Sequence, residues 1–215
     1  MKQRLAIVGA GGHAKVVADI VRCLSKDDSG YAIVAFADAV DSVEQRQFLG
    51  LPLLSGSRHL ASIAHDAVVI AIGDNASRRR EFELLTSLGE CLVSVRHPSA
   101  IIASSVAIGL GTMVCAGAVV NPDTRIGSNV ILNTRSSVDH DCVVEDHVHI
   151  APGVVLGGDV FVGAGAMVGV GAVVKPGVRI GPGATVGAGS VVIRDVPANT
   201  TVVGVPAKAL VRGPE

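Results

Sequence analysis

From Ile102 onward the chain repeats every six residues. Reading Ile102, Ile108, Val114, Val120, Ile126 and on in steps of six to Val192 finds Val, Ile or Leu at 16 of 16 positions. An amphipathic helix repeats every 3.6 residues and a half-buried strand every two, so a sustained period of six is a longer architectural repeat. It matches a parallel β-helix, in which each hexad supplies one side of a coil and successive coils stack at ~4.8 Å. The fifth hexad position agrees: from Val106 and Thr112 to Ser190 and Val196 no residue is larger than Val, as a narrow interior corner requires. Glycine holds the second position in seven hexads, at Gly109, Gly127, Gly157, Gly163, Gly169, Gly181 and Gly187. Turns that demand unusual dihedrals are the expected reason.

Three consecutive hexads abandon that glycine for Asn133, Asp139 and Glu145. The stretch from Asn133 to His149 carries three histidines and four carboxylates but no glycine, between glycine-rich flanks. Polar residues here replace those the fold alone favours, which is where function is expected. At its centre lies Val138-Asp139-His140-Asp141-Cys142. A neutral imidazole oriented by a carboxylate takes a proton from an amine or hydroxyl near neutral pH, so His140 is the candidate general base. Either Asp139 or Asp141 is positioned to orient it. His147 reads as a solvated turn residue, and His59, His65 and His97 as structural or exposed.

Ahead of the repeat the pattern is different. Leu5-Ala6-Ile7-Val8 reads as a buried strand, Gly9-Ala10-Gly11-Gly12-His13-Ala14 as a glycine turn, and Val16, Val17, Ile20, Val21 and Leu24 as a helix face. Such a turn lets a ligand approach the backbone, and the helix start offers free N–H groups to a phosphate. A second strand, Ala32–Phe36, leads to Asp38, whose carboxylate suits a ribose or a base edge. A third, Ala67–Ile72, ends at Gly73-Asp74-Asn75. In an open parallel sheet these three strand ends, at Gly11, Asp38 and Gly73, converge on one crevice. The run Arg78-Arg79-Arg80 reads as a solvated helix face, Cys91–Val95 as a further strand, and His97-Pro98-Ser99 as the linker into the repeat. The division is therefore 1–97, a Rossmann-like unit, and 98–215, the β-helix with a C-terminal tail.

With 49% hydrophobic and 17% charged residues the chain is expected to be ordered, and a net charge of −1 gives no basic face for nucleic acid. No segment is apolar for the ~18 residues a membrane span needs, and the first residues reach glycine too early for a signal peptide. The expected location is the cytoplasm, without membrane insertion. Cys23, Cys91, Cys115 and Cys142 lack zinc-site or redox spacing and read as packing residues in a reducing compartment.

Taken together, Gly9-Ala10-Gly11-Gly12-His13, Ala71-Ile72-Gly73-Asp74-Asn75, Asn133-Thr134, Asp139-His140-Asp141-Cys142 and Val203-Gly204-Val205-Pro206-Ala207-Lys208 resemble the sialic acid O-acetyltransferase/PglD-type acyltransferases. The resemblance covers essentially the whole chain. It implies an α/β plus β fold: a small Rossmann-like nucleotide-sugar domain followed by a left-handed parallel β-helix of hexapeptide repeats. It also implies a homotrimer that transfers acetyl from acetyl-CoA, with His140 of one chain facing the CoA site of its neighbour. The family's base falls on His140 and its acidic helper on Asp141, where other members have Glu. Gly11, Gly12, His13, Asp38 and Gly73 match nucleotide-sugar contacts, and Asn133, with Asp139, lies on the sugar side. His149 matches a histidine near the thioester, and Gly158, Val170 and Lys208 belong with the cofactor. No metal is implied.

The expected substrate is a UDP- or GDP-linked 4-amino-4,6-dideoxyhexose acetylated at its C4 amine, because such a ligand carries both a diphosphate for the first domain and a nucleophile for His140. An amine suits a single neutral base. The alternatives are O-acetylation of sialic acid, a non-catalytic nucleotide-sugar sensor, a histidine-bound zinc site as in γ-class carbonic anhydrases, and a dinucleotide-dependent enzyme built on the glycine turn.

Overall fold

The computed structural model describes residues 2–25, 30–38 and 47–210, which divide into two compact units, Met1–Pro98 and Ser99–Glu215. In the first, β1 (Gln3–Val8) leads into α1 (Gly12–Leu24), then β2 (Tyr31–Asp38), a hairpin of β3 (Gln47–Phe48) and β4 (Leu51–Ser55), a 3-10 turn at Ser57–Ser62, β5 (Ala67–Ile70) and α2 (Asn75–Ser87). The sheet order is β3-β4-β2-β1-β5, parallel except for β3. The chain moves outward from β1 to β2 and returns to the other side of β1 at β5, so the carboxyl end of β1 is the switch point at which such sheets bind ligands.

Leu5, Ala6, Ile7, Val68, Val69 and Ile70 are fully buried, since both faces of this parallel sheet are covered. The hairpin of β3 and β4 has no alternating signature in sequence. Conversely, the strand expected at Cys91–Val95 is reduced to one bridge, Val68 to Leu92, with Val95–Arg96 a separate two-residue strand. Cys115 and Cys142 are buried packing residues as expected, but Cys91 is exposed.

The second unit is a left-handed parallel β-helix built from two-residue strands in three flat faces. The first face stacks Ile101–Ile102, Val119–Val120, Ser137–Val138, Val155–Leu156, Val173–Val174 and Val191–Val192, an 18-residue step from coil to coil. The second runs from Ala107–Ile108 through Val143–Val144 to Arg179–Ile180, and the third from Met113–Val114 through His149–Ile150 to Thr185–Val186 and Thr201–Val203. The repeating apolar residue points inward, and from Val114 to Val192 it is buried in every hexad. Each such side chain is worth about 1.5–3 kcal/mol on burial, so this column dominates the unit's stability.

The turns revise the glycine reading. The left-handed residue of the turns is the fourth of the hexad, held by glycine at Gly111, Gly117, Gly153, Gly165, Gly171, Gly177, Gly183 and Gly189 and by Asp123, Asn129, Arg135, Asp141, His147 and Asp159 at six others, where φ lies between 55° and 63°. The second-position glycines serve close stacking instead: a Cβ on Gly109 would meet Ser128 N at 2.5 Å, and one on Gly163 would meet Pro182 N at 2.5 Å. Packing against the next coil, not dihedral freedom, selects glycine there.

Candidate active site

At the edge where the first face turns into the second, the chain passes through Asp139, His140, Asp141 and Cys142. Asp141 occupies the left-handed turn position at φ 59°, and this aims its carboxylate at the preceding ring: Oδ2 lies 2.7 Å from His140 Nδ1. Asp139 is engaged elsewhere. Its Oδ1 accepts from Asn121 Nδ2 at 2.7 Å and from the His140 backbone N–H at 2.9 Å, so it fixes the turn while Asp141 orients the imidazole. The Asp141 hydrogen bond, followed by the nearby Asp139 charge, raises the His140 pKa above its ordinary 6.5, whereas Asn121 and the His140 amide hold the Asp139 carboxyl below its usual value. Both side chains of the pair are about 60% exposed, at 58% and 60%, so the ring is open to a substrate. One coil further, buried Gly158 lies under the ring.

A second group lies on the third face and at the edge where that face turns into the first. His149 projects from the strand His149–Ile150 yet is only 8% exposed, and its Nε2 is 3.1 Å from Asn133 Nδ2. Asn133 Oδ1 in turn accepts the Thr134 N–H at 2.8 Å. Exposed Val170 occupies the same edge, and Lys208 pairs antiparallel with Val203 beyond the last coil. Within one chain, therefore, His140, Asp141 and Gly158 occupy one edge of the first face, while Asn133, His149 and Val170 gather at or beside the other. His147, expected to be solvated, is half-buried, with Nδ1 2.8 Å from Asn129 Nδ2.

In the first unit Gly11, Gly12, His13, Asp38 and Gly73 do converge, around a cavity of about 620 Å³ at the carboxyl ends of β1, β2 and β5. A Cβ on Gly11, Gly12 or Gly73 would meet nothing within 4 Å, so these three are open to the cavity. The sterically obligate glycine is Gly9, at φ 116° with a Cβ position 2.7 Å from Ala71 O, and sequence reading had not separated it from the others. Asp38 Oδ2 accepts the Ala10 N–H at 2.7 Å, pinning the glycine turn to β2. Burial, with the Arg78 charge second, pushes the His13 pKa down to about 4, so its ring is neutral at physiological pH.

The arginine run divides by position. Arg79 pairs with Glu83 at 2.7 Å on the solvated side, as expected of the whole run. Arg78 is instead completely buried, donating to Ile72 O at 3.2 Å, Gly73 O at 3.1 Å and Asn75 Oδ1 at 2.9 Å. Its guanidinium thus ties the carbonyls at the exit from β5 to the start of α2. Arg80 lines the cavity. As for a histidine-bound metal, among the described residues the His, Cys and acidic groups close enough together to share an ion are Asp19, Cys23 and His97; His140, His147 and His149 form no such set.

Comparison with known proteins follows this division. Residues 4–85 match the model of the PglD N-terminal domain, and 123–158 and 159–194 match the bacterial transferase hexapeptide model. GDP-perosamine N-acetyltransferase of Escherichia coli O157:H7 is 33% identical over 159 residues, covering 73% of this chain and 71% of that protein. UDP-N-acetylbacillosamine N-acetyltransferase of Bacillus subtilis (strain 168) is 37% identical over 53% of this chain and 52% of its own length. Among solved structures, the acetyltransferase domain of PglB from Neisseria gonorrhoeae FA1090, in complex with acetyl coenzyme A, superposes with a TM-score of 0.88 at 36% identity, covering 98% of this chain and 100% of that one. A histidine-to-asparagine mutant of perosamine N-acetyltransferase from Caulobacter crescentus, in complex with CoA and GDP-perosamine, superposes with a TM-score of 0.89 at 39% identity over 97% of each chain.

Proposed function

We propose, from the premise that the chain belongs to the PglD-type family of hexapeptide-repeat acetyltransferases, that it transfers acetyl from acetyl-CoA to the C4 amine of a nucleotide-linked 4-amino-4,6-dideoxyhexose, with His140 as general base. The observation that carries the base assignment is the 2.7 Å contact between Asp141 Oδ2 and His140 Nδ1. It holds the proton on Nδ1 and leaves Nε2 as the acceptor. The sugar amine gives its ammonium proton to solvent on entry, and as its lone pair adds to the thioester carbonyl the nitrogen passes its second proton to Nε2. The tetrahedral intermediate then collapses to amide and CoA thiolate, which recovers the proton from the imidazolium. The substrate diphosphate is held by the crevice of the first unit, where Gly11, Gly12 and the α1 N-terminus present N–H groups and neutral His13 adds a hydrogen-bonding ring.

We place the working unit in a homotrimer. The first face carries exposed Ile101, Val155 and Val173 stacked in register, and its two edges hold the two different halves of the site. Unlike edges favour a head-to-tail ring, and a three-sided prism closes one with three copies. His140, Asp141 and Gly158 of one chain then meet Asn133, His149, Val170 and Lys208 of the next, with Asn133 on the sugar side and Gly158, His149, Val170 and Lys208 around the CoA arm and thioester. No helix among the described residues is long and apolar enough to cross a membrane. A cytoplasmic location fits the four free thiols and the supply of acetyl-CoA.

The test is incubation with acetyl-CoA and either nucleotide-linked 4-amino sugars or sialic acid, following free CoA and the mass of the product. Acetylation of the amino sugar is expected. Turnover of sialic acid alone would replace N- by O-acetylation, and binding of nucleotide sugar without turnover would make the protein a sensor.

A further inference from the structure

One wall of the first unit's cavity is the stripe of α2 that bears Ser77, Arg80 and Glu81, one helical turn apart. Most polar groups around the cavity are already engaged: Asp38 Oδ2 holds Ala10 N–H, and Ser77 Oγ accepts Arg80 Nη2 at 2.8 Å. Glu81 Oε2 is different, for it is buried and has no hydrogen-bond partner among the described residues. A buried carboxylate oxygen without a donor is costly, and because the Glu81 side chain lines the cavity a rotation of its carboxylate brings that oxygen to a donor on a ligand.

We propose that Glu81 and Arg80 read the base of the nucleotide and that the base is guanine; this rests on the nucleotide-sugar reading above. One cavity joins Gly11 to His13, Asp38 at the end of β2 and the Ser77, Arg80 and Glu81 wall, so with the diphosphate at the glycine turn and the ribose at Asp38 the base lies against α2. Guanine presents N1–H and the N2 amino group side by side, two donors for one carboxylate. Uracil and thymine offer a single N3–H flanked by two carbonyl oxygens, which a carboxylate repels. On the same wall the Arg80 guanidinium supplies donors that match guanine O6 and N7, a pairing the pyrimidines lack.

Calorimetric titration of the intact enzyme with GDP, UDP and dTDP, for wild type, Glu81→Gln and Arg80→Met, tests this, with thermal unfolding to establish that each variant folds. The wild type is expected to bind GDP roughly 10–100-fold more tightly than UDP or dTDP, and each variant to lose most of that advantage while its pyrimidine affinity stays within about twofold. Arg80 is exposed on its helix, so its variant remains informative if Glu81→Gln fails to fold. Equal wild-type affinities would overturn the proposal, as would equal losses for all three nucleotides, which would assign Glu81 to the ribose. Binding of none of them would overturn the nucleotide-sugar reading itself.

Discussion

Gly158 lies against the imidazole of His140: a Cβ on Gly158 would stand 2.6 Å from Cε1 and 2.7 Å from Nε2. The stacking of coils thus places a backbone surface under the proposed base, and Asp141 holds it from the side. Gly158→Ala should therefore push the ring aside, because an exposed ring yields more readily than the coil. Unfolding temperature should hardly change, while turnover falls by roughly 10²-fold, the cost of about 1 Å of misplacement. Circular dichroism and a CoA-release assay on the same preparation separate these effects.

Asp141→Asn tests the orienting contact through pH. Asn tolerates the left-handed turn position at φ 59°, so the backbone is undisturbed. The base works only when neutral, so activity falls as pH drops through its pKa. Asp141 is the largest cause of the raised His140 pKa, and removing its charge should move the acidic limb of the kcat/KM profile to lower pH. Turnover should decline less than for loss of the histidine, since Asp141 orients the ring without moving the proton.

Arg78→Met should strip three acceptors, Ile72 O, Gly73 O and Asn75 Oδ1, of a buried donor. Urea unfolding should report a loss of about 2–4 kcal/mol. Nucleotide affinity should fall as well, because the same guanidinium shapes the Gly73 wall of the cavity.

Val155→Glu with Val173→Glu places like charges in adjacent coils of the first face. Light scattering should change from a trimer to a monomer that keeps its β-helical circular dichroism. CoA release should be lost with the trimer, because the proposed site draws His140 and His149 from different copies.

How much of this was legible in sequence depended on the kind of signal. The β-helix was, because a column of Val, Ile and Leu every six residues has few other uses, and the His140 edge stood out because Asn133, Asp139 and Glu145 interrupt the glycines. What escaped was contact between residues distant in sequence. Arg78 and Arg80 are the same residue type two positions apart, and only the helix phase sends one into the core and the other to the cavity. Gly9 and Gly11 likewise look alike until Ala71 O is brought up against one of them. The choice between Asp139 and Asp141 turned on Asn121, eighteen residues earlier and one coil away, which occupies Asp139.

The central claim is that His140 is the base. The direct measurement is single-turnover acetylation by His140→Ala, with acetyl-CoA and the amino-sugar nucleotide both saturating and their binding measured separately. The account predicts unchanged affinities and a rate lower by roughly 10²–10⁴-fold, the range for losing a general base. A rate equal to that of the wild type would contradict it.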